Sequence, residues 1–488
     1  MRAILATAIV LSLTAAACVS APARREPDLG VPVPERWDSD PDVEAGTIER
    51  DWWTAFADPE LDAIVAEALE HNYDLQAAAA RVEAAAAIAK ISGADLYPTL
   101  DFQAGVARQK QNFIGLPIPG DDVPSSTFTS YGVSIATTWE IDLWGRIRSG
   151  AAASVADFEA ARALLAGARL SVAGQATKAW FAVGEARRQV DLSATTVKAF
   201  RQTSERVRTR YERGLRPSLD YRLALANLAG AEANLEARRD RLQIATRQLE
   251  ILLGRYPADA IAGSDDLPPP PEDIPAGLPA SLVSRRPDLV VAERRLAAAD
   301  SRVAEAKAAR YPRLALTASG GSATQELSDL VDGNFSIWSL AANLLQPIFQ
   351  GGRLRANVDL NKANVDEATA LYVQDVLLAF GEVESILASG EILTREEGAL
   401  VTASEQSSAA QRLAEDRYNQ GLADIVTVLD AQRRALVAES TLLEVRRLRL
   451  ENRVDLYLAL GGGFDASDIE TATTSDTDAT EDGEESSS

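Results

Sequence analysis

The chain has 488 residues, 46% of them hydrophobic, with 72 acidic against 49 basic side chains and a single His, Met and Cys. A formal charge of −23 argues against a nucleic-acid partner, and the hydrophobic content supports packed cores rather than a disordered polymer. One cysteine excludes an intrachain disulfide; with His71 standing alone, no Zn or Cu cluster and no metal-dependent catalysis is expected.

Residues 1–18, MRAILATAIVLSLTAAAC, place a basic Arg2 before an apolar run and end on small residues at Cys18, the layout of an export signal. The apolar run is too short to span a bilayer. A cysteine in this position resembles a bacterial lipobox, which implies removal of residues 1–17 and an N-palmitoyl, S-diacylglycerol lipid on Cys18. The alternative is an ordinary signal peptide with an incidental cysteine, and Ala15 stands where a lipobox usually has Leu. Val19 in place of Asp fits sorting to the outer membrane. Residues 18–50 include the Pro-rich stretch APARREPDLGVPVPERW, expected to form an extended tether rather than a packed element.

Beyond the tether the chain repeats itself. RYERGL at Arg210–Leu215 returns as RYNQGL at Arg417–Leu422, 207 residues later, and WEIDLWGR ending at Arg146 falls on QPIFQGGR ending at Arg353. LYPTLDF at Leu96 matches RYPRLAL at Arg310, the difference in offset being an extra loop around NFIGLPIPGDD. The first repeat, 51–255, reads as helix, β-hairpin at about 97–143 and long helices; the second, 281–463, repeats this with a hairpin at about 311–349. Residues 256–280 link them, and 464–488 form an acidic Ser/Thr-rich tail expected to be disordered.

In the first hairpin Leu100, Phe102, Ala104 and Val106 alternate with Asp101, Gln103, Gly105 and Ala107, and Tyr131 to Leu143 alternate with small or polar residues. Such strands suit a soluble sandwich or a transmembrane barrel. Export and the tryptophans Trp139, Trp144 and Trp338 near the strand ends favour the barrel. Four strands cannot close around an open interior, and lipid-exposed edges are forbidden, so several copies must share one barrel. From Arg146 to Arg213 and from Arg353 to Gln420 there is no proline, so each stretch can form one helix on the order of 100 Å long. Tyr372, Val376, Ala379, Val383 and Ile386 step at heptad spacing, and Leu429, Leu436, Leu443, Leu450 and Tyr457 recur every seven residues, a coiled-coil pattern. Each RY..GL lies where one long helix stops and another starts, with Gly214 and Gly421 suited to a left-handed cap.

WWTAFADPELDAIVAEALEHNYDLQAAAARVEAA from Trp52, GLPASLVSRRPDLVVAERRLAAADSRVAEAKAARYPRLAL from Gly277, QPIFQGGRLRA from Gln346 and RYNQGLADIVTVLDAQRR together resemble the outer-membrane efflux lipoproteins of the TolC type, the NodT-like exit ducts of resistance-nodulation-division pumps. The likeness covers about residues 50–463. It implies a homotrimer anchored in outer-membrane lipid and extending into the periplasm, with four strands per chain in one twelve-stranded β-barrel. The long helices would form a coiled-coil α-barrel, with a mixed α/β belt near 40–60, 256–280 and the C-terminus. It further implies a periplasmic adaptor (membrane fusion protein) and an inner-membrane resistance-nodulation-division pump as partners, and passive conduction of drugs or other small molecules.

The same resemblance implies a periplasmic gate at the helix tips. The family's aperture carboxylate falls on Asp430, whose ring of three would be acidic and favour cations. A second acid of some relatives is Thr427 here. The positions that hold neighbouring hairpins together are Tyr418 and Asp220, and the arginine that joins them in some relatives is replaced by Ala423. Gly214, Leu215, Gly421 and Leu422 match the tips where the adaptor docks. No nucleophile and base or paired acids suggest an enzyme, and GSDDLPPPPED at Gly263 reads as a linker. A type I protein-secretion duct shares the architecture; a coiled-coil surface lipoprotein would explain the helices but not the strand pairs.

Overall fold

A computed structural model describes residues 22–23, 30, 32–39, 46, 48–112, 125–264, 266–271, 274–275 and 279–467. The signal segment, Cys18, residues 113–124 and residues 468–488 of the acidic tail lie outside them. The described elements run α1 (Pro59–His71), α2 (Tyr73–Ala94), β1 (Thr99–Asn112), β2 (Ser125–Ile141), α3 (Arg146–Glu212) and α4 (Ser218–Leu252). After a single turn at Leu282–Arg285 come α5 (Pro287–Ala308), β3 (Arg313–Thr324), β4 (Ser336–Leu345), α6 (Arg353–Asn419) and α7 (Ile425–Ala459). The two copies are equal in length: α3 and α6 have 67 residues each, α4 and α7 have 35. No described helix is long and apolar enough to cross a membrane.

The chain divides into two compact units, one of residues 1–27, 83–160 and 292–371, the other of residues 28–82, 161–291 and 372–488. The first holds an antiparallel sheet in the order β1-β2-β3-β4. Its register sets Phe102 opposite Ile135, Trp139 opposite Leu316 and Ala318 opposite Leu340, so the period of two in each strand falls on a common apolar face. That face is open on the outer strands, where Leu100, Phe102, Trp338, Leu340 and Leu344 are all exposed. The opposite face carries Asp101, Gln103, Ser134, Thr317, Ser319 and Asn343. The indole N–H of Trp139 donates to the Leu96 carbonyl and that of Trp144 to the Pro312 carbonyl, each at 2.8 Å, so both rings keep a polar end satisfied beside an apolar surface.

The same unit contains a buried ion cluster. Arg294 on α5 donates to Glu159 at 3.0 Å and to both oxygens of Glu293, at 2.5 and 2.6 Å. A further N–H of its guanidinium reaches the Pro22 carbonyl at 3.0 Å. All three charged side chains are buried, so the arginine offsets part of the cost of burying two carboxylates there.

The second unit is helical and is centred on aromatic packing. Trp52 stacks on Tyr457 with ring centroids 5.1 Å apart, and Phe56 meets Phe181 at the same separation. Asp58 caps α1 by accepting from the Glu60 and Leu61 amides, with Pro59 in the first helical position, and its other oxygen accepts from the Trp180 indole at 2.9 Å. One short motif therefore both starts a helix and docks it. Of the heptad residues, Tyr372, Val376, Ala379, Val383, Leu429, Leu443, Leu450 and Tyr457 are buried and Leu436 is half-buried.

Two expectations need correction. Within the described part of the tether, residues 32–39, the chain is packed at one point: Trp37 is 3% exposed and sits edge-on to Phe380 at 6.2 Å, while the Asp38 and Ser39 amides donate to Glu384. One large aromatic docks the segment although most of its described neighbours stay exposed, and the adjacent amides add two hydrogen bonds to Glu384. The belt segments, expected to mix helix and strand, contain 3-10 turns at Trp52–Phe56 and Pro279–Ser281 and no strand among the described residues. Their prolines lack the amide a ladder needs.

Candidate functional site

The two RY..GL turns, both within the helical unit, close alike. Gly214 has φ +71 and Gly421 has φ +79, the left-handed region that a residue with a Cβ enters only at a cost. In each, the glycine amide bonds three residues back, to Tyr211 at 2.8 Å or Tyr418 at 3.0 Å. The following leucine amide bonds five back, to Arg210 at 2.9 Å or Arg417 at 2.8 Å, which is the Schellman arrangement. Leu215 and Leu422 are then held outward, 68% and 73% exposed.

The restart differs between copies. After Pro217, α4 begins without a side-chain cap, whereas Asp424 caps α7 by accepting from both the amide and the hydroxyl of Thr427, at 2.8 and 2.7 Å. Thr427 thus serves the helix start.

Tyr418 lies within a cluster of Val207, Ala224, Ala414, Ile425, Val428 and Leu429. It is 2% exposed, and its hydroxyl is buried without a hydrogen-bond partner among the described residues. Asp220, half-buried, does not bond to it. Two arginines from the first turn cover the ring instead: the guanidinium carbon of Arg210 is 4.5 Å from its centroid and that of Arg216 is 5.4 Å away. Arg210 also donates to the Tyr418 and Asn419 carbonyls at 2.9 and 3.1 Å, and Arg216 to the Ala423 carbonyl at 3.4 Å. The Tyr418 and Asn419 carbonyls lie in the last turn of α6, where a cation is favoured by the helix dipole as well. The first turn is thereby clasped to the second.

Asp430 is partly exposed and is enclosed by its own helix: Arg433 and Arg434 each donate to it at 2.7 Å. The hydrogen bond from Arg434, then that from Arg433, holds its carboxyl below the usual carboxylate range. The carboxylate expected to form an acidic ring therefore carries two cations beside it within its own chain. Beneath the turn Gln432, buried, donates to Thr203 at 3.2 Å and to Glu415 at 2.8 Å. Reading the sequence around Asp430 missed Arg210, Arg216, Arg433, Arg434 and Gln432. The arginines were signalled by their helical spacing of three and four from Asp430 and by the repeat itself; Gln432 had no signal.

The chain as a whole matches a known family. The family model described as outer membrane efflux protein matches residues 64–255 and 278–462. The outer membrane protein OprJ of Pseudomonas aeruginosa is 34% identical over 467 residues, covering 94% of this chain and 96% of that protein. The solvent efflux pump outer membrane protein SrpC of Pseudomonas putida is 34% identical over 418 residues, covering 84% and 87%. The Neisseria gonorrhoeae MtrE outer membrane channel, solved in its open state, superposes with a TM-score of 0.81 at 30% identity, covering 92% of this chain and 99% of that one. The fold and its turns define an outer-membrane channel with a helical portion and a β portion. The chain belongs to the outer membrane efflux protein family and is an outer-membrane component of efflux.

Proposed function

We propose that the protein is the passive exit duct of a tripartite efflux pump, a homotrimer whose chains each give four strands to one twelve-stranded barrel. The observation that carries this reading is the sheet. Its apolar face is exposed along both outer strands, and β1 and β4 are edges whose outward backbone groups need partners in lipid. Three copies joined edge to edge satisfy them. The helices then supply the conduit across the periplasm, and the exposed Leu215 and Leu422 meet an adaptor protein that couples the duct to an inner-membrane resistance-nodulation-division pump. A lipid on Cys18 adds an anchor. No step of chemistry is assigned to the chain, which is a channel and not an enzyme. Small molecules, solvents among them, are the cargo class that fits the named relatives.

Purified protein in a planar bilayer tests this directly. A trimer by native mass spectrometry that conducts ions supports the duct; a monomer, or a trimer without conductance even in an Asp430→Ala variant, overturns it. Deletion of the gene should sensitise cells to solvents, dyes or antibiotics, and loss of an exported protein instead would favour a type I secretion duct.

A further inference from the structure

The repeat makes one contact conspicuous by its one-sidedness. Shifting by 207 residues maps Arg210 onto Arg417, Tyr211 onto Tyr418, Glu212 onto Asn419 and Arg216 onto Ala423. Inside the chain, Arg210 of the first turn covers Tyr418 and bonds the carbonyls of Tyr418 and Asn419 in the second. The mirror contact, from Arg417 to the carbonyls of Tyr211 and Glu212, is not made within the chain. Arg417 is exposed and its side chain has no hydrogen bond or ion pair among the described residues. Tyr211, stacked on Tyr221 at 5.8 Å, is 41% exposed where its counterpart Tyr418 is 2%.

We infer that Arg417 clasps the first turn of a neighbouring copy of this chain, its guanidinium over Tyr211 and donating to the Tyr211 and Glu212 carbonyls. The inference rests on the trimer proposed above. In a closed ring with two turns per copy, every first turn lies between the second turn of its own chain and that of the adjacent chain, so a contact used on one side has a counterpart on the other. The acceptors match: the Tyr211 carbonyl takes a Gly214 amide just as the Tyr418 carbonyl takes a Gly421 amide, and Tyr418 shows that a lone pair remains for an arginine. Charge matches too. Residues 205–222 carry six arginines and three carboxylates, while the equivalent residues 412–429 carry two arginines and three carboxylates. First turns attract second turns on both sides.

The two seams are not equally strong. Within a chain two arginines, Arg210 and Arg216, hold the second turn. On the other side the repeat supplies Arg417 alone, because Ala423 occupies the place of Arg216.

Full-length protein carrying Glu212→Cys and Arg417→Cys should, on oxidation, run as a covalent ladder up to the trimer on a non-reducing gel. Either single variant should not, which controls for Cys18. Arg210→Cys with Asn419→Cys should bridge within one chain and stay at monomer mass. Because cysteine removes the clasp, a second measurement keeps the arginine chemistry in view. Arg417→Ala should raise the open fraction about tenfold, seen as bilayer conductance and as sensitivity to a large antibiotic that the closed mouth excludes. Arg417→Lys should fall between, and Ala423→Arg should lower conductance by adding the missing second clasp. A trimer that gives no interchain bridge, or an Arg417→Ala variant conducting like the parent, overturns the inference while leaving the duct intact. A monomer by native mass overturns the duct reading itself.

Discussion

Asp430 and Arg434 are joined at 2.7 Å one helical turn apart, with Arg433 completing the enclosure of the same carboxylate at 2.7 Å. The residue expected to make the mouth acidic is thus half of a local charge balance that leans positive. Its electrostatic effect depends on the carboxylate staying ionised, which these two arginines ensure.

Replacing Asp430 with Asn leaves Arg433 and Arg434 uncompensated, so cation preference should fall at pH 7, read as a shifted reversal potential across a KCl gradient. The sign with pH follows from the depressed folded pKa. The contribution of the ionised carboxylate is present above the ordinary value of 3.8 and is lost as pH falls through the lower folded value. Parent and variant should converge only in acid below 3.8. Equal reversal potentials at pH 7 would remove Asp430 from the conducting path.

Gly421→Ala should destabilise the second turn by about 1–2 kcal/mol, the cost of a left-handed residue with a Cβ. No atom lies within 4 Å of the new methyl, so the effect is one of backbone angle and Gly421→Asn should recover part of it. Faster amide exchange at residues 417–425 is the readout, with Gly214→Ala giving the same loss at 210–218.

Arg294→Met removes the guanidinium that the buried Glu159 and Glu293 share and should cost about 3–5 kcal/mol. The expected outcome is failure to accumulate as a trimer, with partial rescue when Glu159→Gln is added. Normal accumulation of the single variant would mean that the cluster is open to water.

Trp37→Ala removes a ring buried against Phe380 and should cost about 3–5 kcal/mol of local stability. Limited proteolysis should then cut near residues 32–39 before the rest of the chain. A parent-like digestion pattern would show that the Glu384 hydrogen bonds hold the segment by themselves.

Much of this architecture was legible because it depends on local order. Periods of two and of seven, the gaps between prolines, and the glycines of RY..GL each act over a few residues, and the 207-residue repeat showed that they were used twice. The packing of Trp37 was not legible, since its partner Phe380 is more than three hundred residues away and no periodicity links them. The site divides in the same way. The turn geometry at Gly214 and Gly421 follows from sequence, because only backbone angle decides it. Which side chains cross between the turns does not: Arg210 and Arg417 occupy identical positions in identical hexapeptide frames, yet one is clasped inside the chain and the other is left facing outward. Sequence sets what each turn can offer, and only the placement of one helix pair against the other decides which acceptor lies within reach of which arginine.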